Sequence, residues 1–293
     1  MRFLLKVAVA PLLLLIAGAA VWLAIGNGWN REALLAGALL FTLLYLTAFE
    51  ALIPLEPTWR VRREDAWPDL AHLVLVNLFS GVGAVAALSL VLWLQRALGL
   101  EAAFWRDVPI PVQVVIAMIA GEFLPYWYHR FSHGSRFFFW RVHSIHHITT
   151  RLNSLKGSWM HPVNTFLNAF MKMLPILLLG FSEETLVTVS VFSLVIGYMS
   201  HANVDARTGF LDYLIATPHV HHFHHSMRPE EARNYGTNVV LWDLLFGTYF
   251  NAKGRVAEVG VQASPDNLYP ATGSVANQLR YPFERRFGRT ARP

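Results

Sequence analysis

The chain contains no cysteine in 293 residues. That excludes structural disulfides, thiolate zinc sites and an internal iron–sulfur cluster. Charge is also scarce. Only 15% of residues are Asp, Glu, Lys or Arg, against about a quarter in soluble domains. Acidic residues are fewer than basic ones, leaving a formal charge of +5 and a pI near 9.6. A basic balance can signal nucleic acid, but mean hydropathy is +0.38 and 54% of residues are hydrophobic. In such a chain basic loops facing the cytoplasm and anionic lipid account for the charge, and no nucleic-acid partner is expected. No phosphate loop, G-x-S-x-G elbow, H-E-x-x-H motif or E-x-x-H pair occurs. Gly81-Val82-Gly83-Ala84-Val85-Ala86 fits a dinucleotide fingerprint only on paper, because no strand precedes it and it lies within an apolar run. Small residues there suit close helix packing. With no flavin or nicotinamide site of its own, the chain needs any electrons from a separate protein.

Long apolar runs are present in quantity. Six stretches, 5–26, 33–54, 70–94, 109–128, 163–181 and 184–200, approach the roughly 20 apolar residues that a spanning helix needs. The first has the basic start of a signal peptide and an Ala17-Gly18-Ala19 cleavage-like site. Its apolar run continues through Ile25, however, which favours an uncleaved span. The last two are short and joined by Phe181-Ser182-Glu183-Glu184, so 163–200 is read either as two spans or as a re-entrant hairpin. With the N-terminus inside, the inner segments collect Arg2, Lys6, Arg60, Arg62, Arg63, Arg130, Arg136, Arg141, Arg151 and Lys156. Only Arg31, Arg96 and Arg106 fall outside. This is the positive-inside pattern. The expected fold is an all-α, polytopic helical bundle of about four to six spans with both termini inside, in the cytoplasmic membrane of a bacterium. Residues 1–114 are read as N-terminal transmembrane helices, 115–250 as a catalytic domain, and 251–293 as a cytoplasmic tail ending in Arg285, Arg286, Arg289 and Arg292.

Twelve of the thirteen histidines lie between His129 and His225. Residues three or four apart share a helix face. His129 and His133 can therefore converge on one point, as can His143, His146 and His147, and again His221, His224 and His225. Hydropathy alone puts all three clusters on one side of the membrane, with His161 and His201 each at the inner end of a span. Eight clustered imidazoles suit two metal ions, with His161 and His201 as additional ligands. Imidazole serves iron, zinc, copper and nickel alike, so ligand type does not name the metal. His219 and His222 are left as spares, and His72 reads as an ordinary core histidine. Glu122, seven residues before His129 on the same helix face, is an acid at membrane depth, where such residues are costly and often functional. It is expected to act catalytically, in support of the centre.

These motifs, followed by Asn234-Tyr235-Gly236 and the run Leu241-Trp242-Asp243 through Tyr249, resemble the fatty acid hydroxylase / sterol desaturase superfamily over about residues 115–250. The resemblance implies a membrane-bound, O2-dependent di-iron enzyme acting on C–H bonds of lipids. It makes iron ligands of His129, His133, His143, His146, His147, His221, His224 and His225. Where the family has an acid shortly after a His-Pro pair, this chain has Asn164. The expected cofactors are two iron ions, which zinc can replace in preparations. The expected partners are a lipid substrate, O2, the membrane and a separate reductase or electron carrier. Lipid hydroxylation is the first reading and desaturation at the same centre the alternative. From another class, the rivals are a zinc or nickel transport protein, which normally carries ionisable residues along its spans, and a bis-histidine haem protein.

Overall fold

The computed structural model describes residues 1–99, 105, 107–134, 138–262 and 268–284. The basic tail read at Arg285, Arg286, Arg289 and Arg292, and Arg106 and Arg136, lie outside the described residues. Among the described residues ten α-helices run in order: α1 (Arg2–Gly26), α2 (Arg31–Leu52), α3 (Ala66–Leu98), α4 (Ile110–Gly134), α5 (Phe138–His147), α6 (Pro162–Leu179), α7 (Glu183–His201), α8 (Pro218–His224), α9 (Leu241–Leu245) and α10 (Val275–Arg280). No strand forms among the described residues, only isolated bridges.

Local signals set the helix ends. Asn30 caps α2 by accepting from Ala33 N, and Ser182 caps α7 through Thr185 N. Side-chain caps of this kind satisfy amides that have no partner within the helix. Gly99 and Gly180 close α3 and α6 in the left-handed region, where a side chain would be strained. A short turn through Gly180 and Ser182 joins α6 to α7, and α4 packs against both.

Among the described residues five helices are long and apolar enough to cross a membrane: α1, α2, the α3 segment, α4 and α6. The sixth apolar stretch does become a helix, α7, but two glutamates and several Ser and Thr dilute its hydropathy, and it is the inner element of the bundle. Helices α1, α2 and α4 pack around it, and Val191, Val195, Ile196 and Met199 on it are buried. Val9, Leu13 and Leu46 join that core from α1 and α2. On the other side α3 lies against α6. A Cβ on Gly83 would sit 2.6 Å from the carbonyl oxygen of Phe166, whereas one on Gly81 would meet nothing, so Gly83 is the residue of the G-V-G run that serves close helix approach.

At one end of the bundle a polar layer locks the segment between α5 and α6. Lys156 is buried and bonds Asp69 on α3 at 2.7 Å, while Trp159 donates its indole N–H to the same carboxylate at 2.6 Å. Arg151 clamps Asp65 with two contacts of 3.0 and 2.9 Å. Glu50 on α2 accepts the backbone amides of Ser154 and Asn203. His72 stacks on Trp159 and pairs with Gln278 at 2.6 Å. These contacts tie α2, α3 and the C-terminal segment to the backbone beside the histidines.

Candidate metal centre

The end of α4 supplies His129 and His133, α5 supplies His143, His146 and His147, α7 ends in His201, and α8 with its cap supplies His221, His224 and His225. Within these the structure forms two groups able to hold a metal ion. One is His129, His133, His143, His147 and His224; the other is His146, His201, His221 and His225. In each group one ring nitrogen per residue lies within 4.8 Å of all the others. The groups abut, with the rings of His147 and His225 4.5 Å apart.

Sequence spacing anticipates convergence of each cluster on one point, and here the structure differs. Each H-x2-H-H cluster is divided. His143 and His147 stay together while His146 joins the other group; His221 and His225 stay together while His224 crosses over. Helix geometry explains the division. At about 100° per residue, an i,i+4 partner sits about 40° to one side of the first histidine and an i,i+3 partner about 60° to the other. The two motifs therefore exchange one histidine each. This interlocks α5 and α8.

The outer nitrogens show what the inner ones are for. Nδ1 of His129 donates to the Tyr235 carbonyl at 2.7 Å, His224 to Arg233 at 2.7 Å, His146 to Trp159 at 3.0 Å and His201 to Gly197 at 2.8 Å. A donating Nδ1–H leaves Nε2 as a lone pair, the arrangement usual behind metal-bound imidazole. The Nε2 atoms of His201 and His146, and of His221 and His201, lie 3.0 Å apart, and those of His143 and His133 lie 3.1 Å apart. Ligands about 2.0–2.1 Å from a shared ion have about this separation when set at right angles. Nε2 of His129 and of His224 is buried without a partner. Lone pairs crowded in this way repel unless a cation lies among them, so the residues present fit a pair of metal ions.

Burial keeps the rings neutral. The pKa of His146 falls to about 4, and those of His143, His147, His221, His224 and His225 are held well below 6.5. Desolvation is the main cause and neighbouring imidazoles add to it, while the hydrogen bonds of His146 to the Trp159 carbonyl and of His224 to the Arg233 carbonyl partly oppose it. Neutral imidazole is the form that binds metal.

Two expected residues lie elsewhere. His161 belongs to neither group. Its Nδ1 accepts from Val163 N as the cap of α6, and its Nε2 donates to Leu279 O at 3.1 Å, so both ring nitrogens are engaged. Glu122 does not contact the histidines. Its carboxylate accepts from the amide and hydroxyl of Thr237 (2.6 and 2.7 Å) and from the amide and side chain of Asn238 (3.1 and 3.0 Å). Of the spare histidines, His219 bonds Asn251 and His222 packs edge-on to Trp59. Asn164 accepts from Tyr128 O–H at 3.0 Å and lies 3.3 Å from Nδ1 of His143.

Residues 233–238 emerge as a strap whose backbone orients two histidines of the larger group. Asp243 holds it by accepting Tyr235 N, Gly236 N and the Thr248 hydroxyl at 2.6–2.8 Å. Asn234 adopts the left-handed conformation (φ 60°) and bonds the carbonyls of Val220 and Phe250. No chemical motif in the sequence marks Asp243. Its only signal was its place in the run beginning Leu241.

Residues 114–248 match the family described as fatty acid hydroxylase. The ornithine lipid hydroxylase OlsE of Rhizobium tropici is 33% identical over 258 residues, covering 84% of this chain and 75% of that protein. This chain belongs to the fatty acid hydroxylase / sterol desaturase superfamily. More distant members include methylsterol monooxygenase 2-2 of Arabidopsis thaliana (27% identical, 52% of this chain and 59% of that one) and the alkylglycerol monooxygenase of Danio rerio (28%, 45% and 29%). No solved structure matches. The relatives named are hydroxylases and monooxygenases, and this chain is an oxidoreductase carried on apolar helices. The matched segment opens in α4, closes at Thr248 and contains all nine grouped histidines.

Proposed function

We propose that this protein is an O2-dependent di-iron hydroxylase of a membrane lipid, with its histidine groups on the cytoplasmic side of a bacterial inner membrane. The observation that carries the reading is the sorting of nine histidines, eight of them buried, into two abutting groups, one with five members and one with four. His129, His133, His143, His147 and His224 hold one iron, and His146, His201, His221 and His225 the other. When bound, the irons supply O2 activation and one-electron chemistry. The carbonyls of Tyr235, Arg233, Trp159 and Gly197 orient the ligands, and burial keeps them deprotonated. Residues 1–114 contribute membrane helices, 115–250 the catalytic part and 251–293 a cytoplasmic C-terminal tail.

In the balanced reaction a lipid C–H bond becomes C–OH. The second oxygen atom leaves as water, and two electrons and two protons come from outside the chain. A separate electron carrier supplies the electrons. The relatives named for ornithine lipid, methylsterol and alkylglycerol support an amphipathic lipid as substrate, presented from the bilayer.

The deciding experiment compares lipid extracts from cells carrying the wild-type gene, no gene, or His146→Ala, with iron, O2 and a competent reductase present. A lipid heavier by one oxygen atom in the wild type alone supports hydroxylation, and one lighter by two hydrogens moves the reading to desaturation. Identical lipidomes in all three strains overturn the oxygenase reading. Reporter fusions after residues 100 and 260 should lie on opposite sides of the membrane, the second inside.

A further inference from the structure

Trp242 donates its indole N–H to the carbonyl of Ile119 at 2.9 Å. Ile119 lies on α4 ten residues before His129, about 15 Å along the helix from that histidine. It is nine residues from the start of α4 and fifteen from its end, so it sits near the middle of an apolar helix about 37 Å long. Glu122, about 10 Å along the helix from His129, takes the amides of Thr237 and Asn238. The ring of Trp242 lies 4.8 Å from that of Phe123, and the ring of Phe246 4.8 Å from that of Trp127. The chain beyond the third histidine cluster therefore does not stay level with the histidines. It runs down α4 to Ile119 and returns past Trp127.

The surface of this dip is apolar. Residues 209–214 join residues 239–247 there, through Val240 N to Leu214 O and a bridge between Ile215 and Val239. The large side chains exposed on the two segments are Phe210, Tyr213, Leu214, Leu244, Leu245 and Phe246, with Phe210 73% and Leu245 63% exposed. The acids within them, Asp212 and Asp243, are buried and accept from the hydroxyls of Thr217 and Thr248. The flanks differ. Arg228, Glu230 and Arg233 before the dip and Lys253, Arg255 and Glu258 after it are all exposed, as charged residues are on a surface in water. Phe123 and Trp127, also exposed, continue the apolar face along α4. At the other edge Arg207 gives its amide to the Lys6 carbonyl and sets its guanidinium over Phe3, at the basic start of α1. A contiguous apolar patch of this kind marks a membrane or partner contact, and its continuity with the outer face of a spanning helix selects the membrane.

We propose that residues 209–214 and 237–247 dip into the bilayer leaflet nearest the histidines, with the acyl chains of membrane lipids as the partner of their exposed face. The proposal rests on α4 as a membrane span and not on the reaction. Irregular backbone enters a bilayer core only where protein satisfies its polar groups. That condition is met. Glu122 takes two amides of the strap, Asp243 takes those of Tyr235 and Gly236, and the Asn238 carbonyl accepts Ala216 N. An acid at membrane depth is costly, and here it supplies the acceptor that the dipping backbone needs. Part of the catalytic region that has no run of spanning length thus lies in lipid.

Because the chain has no cysteine, single cysteines can report the depth of each position. Phe210→Cys and Leu245→Cys test the dip. Val115→Cys, on the exposed face of α4, marks lipid, and Glu230→Cys and Lys253→Cys mark water. Each full-length variant carries a nitroxide in phosphatidylcholine–phosphatidylglycerol vesicles. Electron paramagnetic resonance then compares relaxation by O2, which concentrates in lipid, with relaxation by a water-soluble nickel chelate. The ratio of the O2 effect to the nickel effect should be several-fold higher at Phe210, Leu245 and Val115 than at Glu230 and Lys253. Low ratios at Phe210 and Leu245 with a high one at Val115 overturn the proposal and leave the span standing. A low ratio at Val115 as well overturns both. Metal content equal to that of the wild type shows that a variant has folded. If Leu245→Cys does not fold, wild-type protein in vesicles containing a phosphatidylcholine with a diazirine in its acyl tail decides. Adducts on residues 209–214 or 241–246 support the dip, and adducts confined to the spanning helices overturn it.

Discussion

Glu122 and Thr237 meet at 2.6 Å across 115 residues of sequence. Two residues before Thr237, the Tyr235 carbonyl receives Nδ1–H of His129, itself two turns beyond Glu122 on α4. Glu122 is thus linked to the centre through the strap and positions a histidine without touching it.

Glu122→Ala and Asp243→Ala each remove the anchor of the strap and should lower metal affinity about 10–100-fold, the usual effect of losing a group behind a metal ligand. Glu122→Gln keeps part of the hydrogen bonding and should retain more metal. Metal per chain after dialysis against a graded chelator reads both. Full retention in Asp243→Ala would show that the strap does not orient His129 and His224.

The division of the clusters has a stoichiometric consequence. His143→Ala should deplete the five-histidine site and His221→Ala the four-histidine site, each leaving about one metal per chain. The double variant should lose both. His161→Ala should keep both metals and lose only the stability of a helix cap, about 0.5–2 kcal/mol. Metal analysis with denaturant titration separates these outcomes.

Metal-free protein should lose stability as pH falls below about 6.5, the ordinary histidine value. Histidines held down by burial, such as His146 at about 4, stay neutral in the fold but take up protons when unfolded. The unfolded state then binds more protons, and each such histidine costs up to about 1.4 kcal/mol per pH unit between its folded pKa and 6.5. Denaturation midpoints from pH 7 to 4 measure the slope. A flat profile would contradict the buried neutral state.

Lys156→Ala leaves Asp69 buried without its cation, with only the Trp159 indole N–H still bonded to it, a loss worth about 3–5 kcal/mol. The part-buried Lys6–Asp205 pair, about a quarter exposed, should cost about 1 kcal/mol on Lys6→Ala. Equilibrium unfolding of the two variants compares them directly, and equal losses would contradict the buried role of Lys156.

The helical class, the apolar stretches and eight of the nine grouped histidines are legible in the chain because each depends on local pattern: hydropathy over a span, or imidazoles three and four residues apart. His201 was legible only by its place at the end of an apolar run. Which histidine joins which group was not legible, because an i,i+3 and an i,i+4 partner look equally good until a second helix is placed opposite. Only the docking of α5 against α8 decides that His146 and His224 exchange. The exclusion of His161 followed from Leu279, 118 residues away. The inner position of α7 depended on α1, α2 and α4 closing around it, although its hydropathy resembled that of a span. The supports of the centre were the least visible. They are carbonyl oxygens of Tyr235, Arg233, Trp159 and Gly197, and every residue has a carbonyl, so no letter in the sequence distinguishes those that tertiary packing turns towards an imidazole.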